Sequence, residues 1–249
     1  RAANISGREA IARKLHLAVA CIPKTIDNDL DLIDRSFGFN TAVAAAQQAI
    51  NVAKVEAECN LPNGIGIVKL MGRHAGFVAA HAALASGKVD LCLVPEVPIE
   101  LEGQYGCLPH IERVLERKGH AVVVVAEGAG EELLDEEATA TDAGGNRKLP
   151  EIGPFFKTKV GAYFAAKRKE VTIKYIDPSY MIRAVPADSS DSIFCMLLSQ
   201  NAVHGAMAGY TCFTTGLVCN RTVYIPIPAI TENSPRMMDR CGRTWERII

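Results

Sequence analysis

The chain has 249 residues, with 27 Lys and Arg against 28 Asp and Glu, for a formal net charge of −1. With 49% apolar and 22% charged residues it has an ordinary globular mix, long enough for one large domain or two modest ones. The charge balance and the 6% aromatic content point away from nucleic-acid and polyanion partners. No apolar run reaches the ~20 residues that span a bilayer, and no basic leader with an apolar core opens the chain.

The opening RAANISGREAIARKLH reads as a helix over 6–14 feeding a strand. Open α/β sheets seldom start this way, so a preceding segment is expected. LAVACI (17–22) is an unbroken apolar run, the pattern of a strand buried on both faces. Pro23 stops it, and PKTIDNDLDLIDRSFGFN is a loop rich in turn chemistry. TAVAAAQQAINVAKVEAE is an Ala-rich helix, with Asn40 or Thr41 as N-cap. LPNG breaks it before the strand IGIVKLM. GRHAGFVAAHAALASG is a helix ending on glycine; His74 and His81 read as structural members of its face.

The cycle then repeats. VDLCLVP is a strand, GCLPHIERVLERKG a helix, and HAVVVVAEG a strand of high β-propensity. TATDAGGNRKLPEIG reads as a surface excursion or hairpin. PFFKTKVGAYFAAKRK is a helix, VTIKYIDP a strand, and SSDSIFCMLLSQNAVHGAMAG a helix with a Ser cap. YTCFTTGLVCNRTVYIPI forms a hairpin around Cys219-Asn220-Arg221. SPRMMDRCGRTWERI is a last helix with Pro235 in its first turn. The alternation implies parallel βαβ units and an α/β fold, a layered and mostly parallel sheet with helices on both faces. Residues 1–249 are taken as one domain, with a second lobe within about 60–170 as an option. Eight cysteines are spread without a C-x-x-C pair or zinc-finger spacing, which suits reduced thiols.

In parallel sheets, ligands bind beyond the carboxyl ends of the strands. LAVACI is followed by Lys24, Thr25, Ile26, Asp27, Asn28 and Asp29. IGIVKL is followed by Met71, Gly72 and Arg73, DLCLV by Pro95 and Glu96, and AVVVV by Glu127 and Gly128. VTIKYI is followed by Asp177, Tyr180 and Arg183. Alone, an Asp-Asn-Asp run is more often a plain Asx turn. Five such exits together suit an anionic sugar phosphate. Guanidinium groups take phosphate oxygens, a carboxylate accepts sugar hydroxyls, and an aspartate removes a proton from a hydroxyl nucleophile.

The residues PKTIDNDL, SFGFNTA, KLMGRHAGFVAA, LVPE, VAEGAG and YIDPSYMIRA…VHGAMAGYT resemble the 6-phosphofructokinase family, nearest its plant-type ATP-dependent branch, in order over nearly the whole chain. The resemblance implies a Rossmann-like phosphofructokinase fold in two lobes. It also implies transfer of a phosphoryl group from ATP, with Mg2+, to the 1-hydroxyl of fructose 6-phosphate, giving fructose 1,6-bisphosphate in glycolysis. Asp27 would be the general base. Thr25, Ile26 and Asp29 would belong to the same substrate-contacting turn, and Met71, Gly72 and Arg73 would line the sugar-phosphate pocket. Glu96 would bind sugar hydroxyls, Arg183 would hold the 6-phosphate with Tyr180 in the substrate-binding position three residues before it, and Lys174 would reach a neighbouring subunit's substrate. Lys24 would lie against the donor phosphates.

The family's Gly-rich nucleotide loops and magnesium-binding element precede the TIDND turn, so the chain is expected to be incomplete at its N-terminus, with the metal ligand upstream of Arg1. Lys24 also accompanies pyrophosphate users, so a pyrophosphate-dependent enzyme is the alternative, as is a non-catalytic regulatory or assembly subunit that keeps the sugar pocket. The family further implies a homo-oligomer, with a tetramer as one candidate. It implies a cytoplasmic location, with the plastid as the other option.

Overall fold

The structure, a computed structural model, describes residues 2–134 and 151–248; most of the excursion expected at TATDAGGNRKLPEIG lies outside them. In chain order the elements are α1 (Ala2–Ala12), β1 (Ala20–Cys21), α2 (Phe39–Cys59), β2 (Gly64–Leu70), α3 (Phe77–Ser86) and β3 (Leu91–Leu93). They continue with α4 (Cys107–Lys118), β4 (His120–Ala126), a 3-10 turn at Glu131–Leu133, α5 (Ile152–Ala166), β5 (Thr172–Ile176) and α6 (Ser179–Ala184). The chain finishes with α7 (Ser189–Met207), β6 (Phe213–Val218), β7 (Arg221–Pro226), α8 (Ile227–Glu232) and α9 (Arg243–Glu246). The α/β alternation read from the sequence is present. The chain divides into two compact units, one of Arg1–Thr41 with Pro186–Arg236, the other of Ala42–Val185 with Met237–Ile249.

The second unit holds a four-stranded, wholly parallel sheet in the order β3-β4-β2-β5. Its centre is apolar because both faces are covered. Ile65, Ile67, Val68 and Val122 to Val125 are fully buried, each worth about 1.5–3 kcal/mol of burial. Helix α2 lies on one face through Ala46, Ile50, Ala53 and Ala57, a stripe at helical spacing with no exposed surface. It comes this close because β2 carries glycines beneath it. A Cβ at Gly64 would stand 2.0 Å from the Ala57 carbonyl oxygen, and one at Gly66 would stand 2.6 Å from that of Ala53. Helix α5 covers the other face with Phe156, Val160 and Phe164. Both α3 and α4 end on a glycine in the left-handed region, Gly87 and Gly119. At the exit of β5, Lys69 Nζ lies 2.7 Å from Asp177 Oδ2.

The first unit holds a three-stranded sheet, β1-β6-β7, with β1 and β6 parallel and β6 and β7 an antiparallel hairpin. The hairpin turns where expected. Cys219 and Asn220 both have positive φ, 50° and 60°, as a two-residue turn matching strand twist requires. Asp34 holds that turn, its carboxylate accepting the Cys219 and Asn220 N–H groups at 3.0 and 2.8 Å. Helix α7 packs on the sheet through Phe194, Leu198 and Gly205, where a Cβ on Gly205 would stand 2.6 Å from the Phe213 ring. Buried Asp191 accepts both the Thr41 amide at 2.9 Å and the Thr41 hydroxyl at 2.6 Å.

Local structure departs from the sequence pattern in several places. LAVACI is not a strand buried on both faces: only Ala20 and Cys21 pair, β1 is a sheet edge, and Leu17 is 53% exposed. The helix expected from Gly72 starts at Phe77, because residues 71–76 form a loop in which Gly72 has φ +132°. Asp188, not a serine, caps α7, its carboxylate accepting the Asp191 N–H at 2.7 Å. The last helix shrinks to Arg243–Glu246, since the Arg236 and Met238 amides are committed to distant acceptors. Asn40 and Thr41 lie inside α2, which begins at Phe39.

The packing of the second unit makes its stability sensitive at two points. Gly66→Ala forces a methyl into the α2 backbone and is expected to cost about 1–3 kcal/mol, read as a lower urea midpoint at unchanged m-value. Burial pushes the Asp177 carboxyl up, but the hydrogen bonds from Lys69 and Ser179 outweigh it and leave its pKa below the ordinary value. A depressed carboxyl contributes stability above its unfolded value of about 4, and that contribution disappears as pH falls through the folded value. Asp177→Asn is therefore expected to be less stable than the parent at neutral pH, with the gap closing below about pH 4 in a series of thermal melts.

Candidate functional site

The turn after β1 is built by its own side chains. Thr25 Oγ1 accepts the Asp27 N–H at 3.2 Å and donates to Asp29 Oδ1 at 3.1 Å. Asn28 is the pivot: it is 5% exposed and left-handed at φ 58°, and its Oδ1 accepts the Ser36 N–H at 2.9 Å. Asparagine tolerates that region because its short amide satisfies backbone groups locally. Ile26 lies against Gly38, where a Cβ would stand 3.1 Å from the Ile26 Cγ2 and where φ is +85°. Asp27 is half-buried and Lys24 is exposed.

A second layer of the same turn is not legible in the sequence. The Ser234 hydroxyl accepts the Asp31 N–H at 2.9 Å and donates to the Ile230 carbonyl at 2.6 Å. The Arg236 N–H donates to the Asp29 carbonyl at 2.6 Å, and Arg236 Nε donates to the Asn28 carbonyl at 3.2 Å. Burial pulls the Arg236 guanidinium below its ordinary pKa, opposed by Asp31, Asp29 and Asp34.

In the second unit the register of the ladder sets the rim. Leu70 pairs with Ala126, so the segments leaving β2 and β4 run side by side. The Glu127 N–H donates to the Leu70 carbonyl and the Gly128 N–H to the Gly72 carbonyl, both at 2.9 Å. A Cβ on Gly128 would stand 1.8 Å from the Arg73 carbonyl oxygen, so only glycine fits there. This places Arg73 Nε 3.9 Å from Glu127 Oε1, with both side chains about 30% exposed. Met71 is half-buried beside them.

Glu96, beyond β3, is 7% exposed. Its carboxylate accepts the Gly76 N–H at 2.9 and 3.1 Å and the Met238 N–H at 2.9 Å. It ties the Met71–Gly76 loop to the C-terminal segment, and its remaining lone-pair capacity lies mainly on Oε2. Burial, with the Glu96 charge behind it, pushes the nearby Cys92 thiol up to about 12, so this cysteine stays protonated. Tyr180, 85% exposed, and Arg183 both face outward from α6, just past Asp177. Lys174 sits mid-strand in β5 and pairs with Glu56 of α2 at 3.6 Å, away from the strand exits.

The strand exits thus bring Arg73 and Glu127 together in the second unit, with Glu96 bonded to the end of the loop that carries Arg73 and α6 carrying Tyr180 and Arg183. Thr25 to Asp29 are brought together in the first. Among the described residues, no three His, Cys, Asp or Glu side chains cluster to hold a metal ion, and no helix is long and apolar enough to cross a membrane. The eight cysteines are free thiols.

Residues 3–206 match the family model described as phosphofructokinase. The chain is 54% identical over 241 residues to ATP-dependent 6-phosphofructokinase 1 of Arabidopsis thaliana, covering 95% of this chain and 50% of that protein. It is 46% identical over 255 residues to ATP-dependent 6-phosphofructokinase of Amycolatopsis methanolica, covering 100% of this chain and 55% of that protein. Among solved structures, a pyrophosphate-dependent phosphofructokinase from Marinobacter aquaeolei superposes with a TM-score of 0.74 at 22% identity, over 96% of this chain and 58% of that one. Phosphofructokinase from Saccharomyces cerevisiae gives 0.68 at 20% identity, over 90% and 28%. The chain spans about half the length of these curated relatives. On the family match and the level of identity to these relatives, the chain belongs to the phosphofructokinase family.

Proposed function

We propose that the protein is an ATP-dependent 6-phosphofructokinase, moving the γ-phosphoryl group of ATP onto the 1-hydroxyl of fructose 6-phosphate to give fructose 1,6-bisphosphate, a glycolytic step. The observation that carries the reading is the TIDND turn, held around Asp27 by Thr25 and Asn28 in a chain 54% identical to a plant enzyme of that name.

In this reading Asp27 takes the proton from the sugar's 1-hydroxyl as that oxygen attacks phosphorus. The bond to the γ-phosphorus forms as the bridge to the ADP oxygen breaks. Thr25, Ile26 and Asp29 hold the turn that presents the base. Met71, Gly72 and Arg73 line the pocket, and Arg183, with Tyr180 beside it, neutralises the 6-phosphate. Glu96 accepts a sugar hydroxyl with its spare Oε2 capacity. Lys24 offsets donor phosphate charge. Lys174 serves a neighbouring subunit's substrate in a homo-oligomer.

The described residues do not fit a metal centre of their own. Mg2+ would come with ATP, held by the nucleotide phosphates with one or two carboxylates, and would neutralise phosphate charge there. Relatives of the chain include proteins named chloroplastic and others without that word, so cytoplasm and plastid are both compatible with the proposal.

Asp27→Asn is expected to lower kcat by about 10²–10⁴-fold in a coupled assay, while fructose 6-phosphate binding by calorimetry is nearly unchanged. Unchanged turnover would remove Asp27 from the role. Arg183→Ala is expected to raise KM for fructose 6-phosphate by roughly 10- to 100-fold, the loss of one charge-assisted contact, with a much smaller change in kcat. Turnover with pyrophosphate in place of ATP would overturn the choice of donor.

A further inference from the structure

We infer that Ser234 and Arg236 are positioning residues for the phosphoryl-transfer base, clamping the peptide that follows Asp27; this rests on the reading of Asp27 as base. The turn's own bonds, through Thr25 Oγ1, secure its entry and its middle. Its exit is secured from two hundred residues away. Two successive carbonyls meet two donors of one residue: Arg236 Nε donates to the Asn28 carbonyl, and the Arg236 N–H donates to the Asp29 carbonyl. Ser234 Oγ then accepts the amide of Asp31.

Three bonds from one tripeptide therefore fix residues 28–31, all within the first unit. The peptide they fix contains a non-glycine residue in the left-handed region, Asn28 at φ 58°. Asparagine tolerates that conformation, so the contacts around it decide how the peptide is aimed. Without the clamp Asn28 Oδ1 still holds the Ser36 amide, but the Asn28 and Asp29 carbonyls lose their donors, and the Asp27 carboxylate shifts as that peptide turns.

Ser234 is in turn anchored on the Ile230 carbonyl in the last turn of α8, so the clamp has a fixed footing. Arg236 is half-buried, and the negative charges of Asp31, Asp29 and Asp34 favour its guanidinium there. Lysine would keep the charge but has no Nε–H at the branch position that reaches Asn28.

The test uses the full-length polypeptide, with folding checked by circular dichroism and turnover read with ATP and fructose 6-phosphate. Arg236→Ala is expected to lower kcat about 10- to 100-fold, as displacement of a catalytic group by about 1 Å does, with KM for fructose 6-phosphate within about threefold of the parent. Arg236→Lys is expected to restore little, and Ser234→Ala to lower kcat in the same direction by a smaller factor. In the Asp27→Asn background, Arg236→Ala is expected to add less than about threefold, since both changes act through one carboxylate.

Parental kcat in folded Arg236→Ala and Ser234→Ala, or a rise in KM with kcat unchanged, overturns the inference. So does full recovery by Arg236→Lys. If Arg236→Ala fails to fold, Ser234→Ala and Arg236→Lys decide the question on the same criteria. Should Asp27→Asn itself turn over like the parent, the base assignment fails. If Asp27→Asn is inactive while the clamp variants are fully active, only the clamp fails.

Discussion

The in-register parallel ladder between β2 and β4 is the constraint on which the second unit depends. Seven consecutive pairs, Gly64 with His120 through Leu70 with Ala126, bring two strands to the same end point. The charged groups just beyond those strands hang from that termination. Once Leu70 and Ala126 are level, the Glu127 and Gly128 amides meet the Leu70 and Gly72 carbonyls, and Arg73 is held next to Glu127. The absence of side chains at 64 and 66 lets the α2 backbone pass close over the same strand. One strand thus seats a helix on its face and presents a guanidinium just beyond its end.

Glu96 shows how structural and chemical roles overlap in such a rim. A buried carboxylate must be hydrogen-bonded, and here backbone amides of Gly76 and Met238 meet that need. The same bonds fix the loop that carries Met71 to Arg73. A residue of this kind organises its neighbours whether or not it also touches a sugar. The first unit uses the same device in reverse: carbonyls after Asp27 are met by donors from Arg236.

How much can be read from the sequence depends on the range of the interactions. The strands of the second unit are legible because doubly covered strands are continuous apolar runs, as in HAVVVVA. The hairpin is legible from Cys219-Asn220, and the turn at 25–29 from its Thr, Asp and Asn residues. LAVACI misleads because an apolar run records hydrophobicity and not whether a neighbouring strand lies alongside it. Ser234 to Arg236 mislead because the acceptors for their donors lie some two hundred residues earlier, which leaves no local pattern. The α7 cap falls one step from its expected place, because Asp188 and Ser189 are both good caps and only geometry chooses between them. The pairing of Lys174 with Glu56 is invisible for the same reason as the clamp.

The division of the chain has a consequence for biosynthesis. The first unit joins early and late segments of the sequence, pairing Ala20 with Phe213, whereas the second is largely one continuous stretch, Ala42–Val185. A nascent chain leaving the ribosome can complete the continuous body while the early segment still waits for its partner strands, since long-range pairing must first overcome loop-closure entropy. Premature termination before Phe213 would therefore leave the Asp27 segment without its sheet, and would also deny the second unit the Met238 amide that meets buried Glu96.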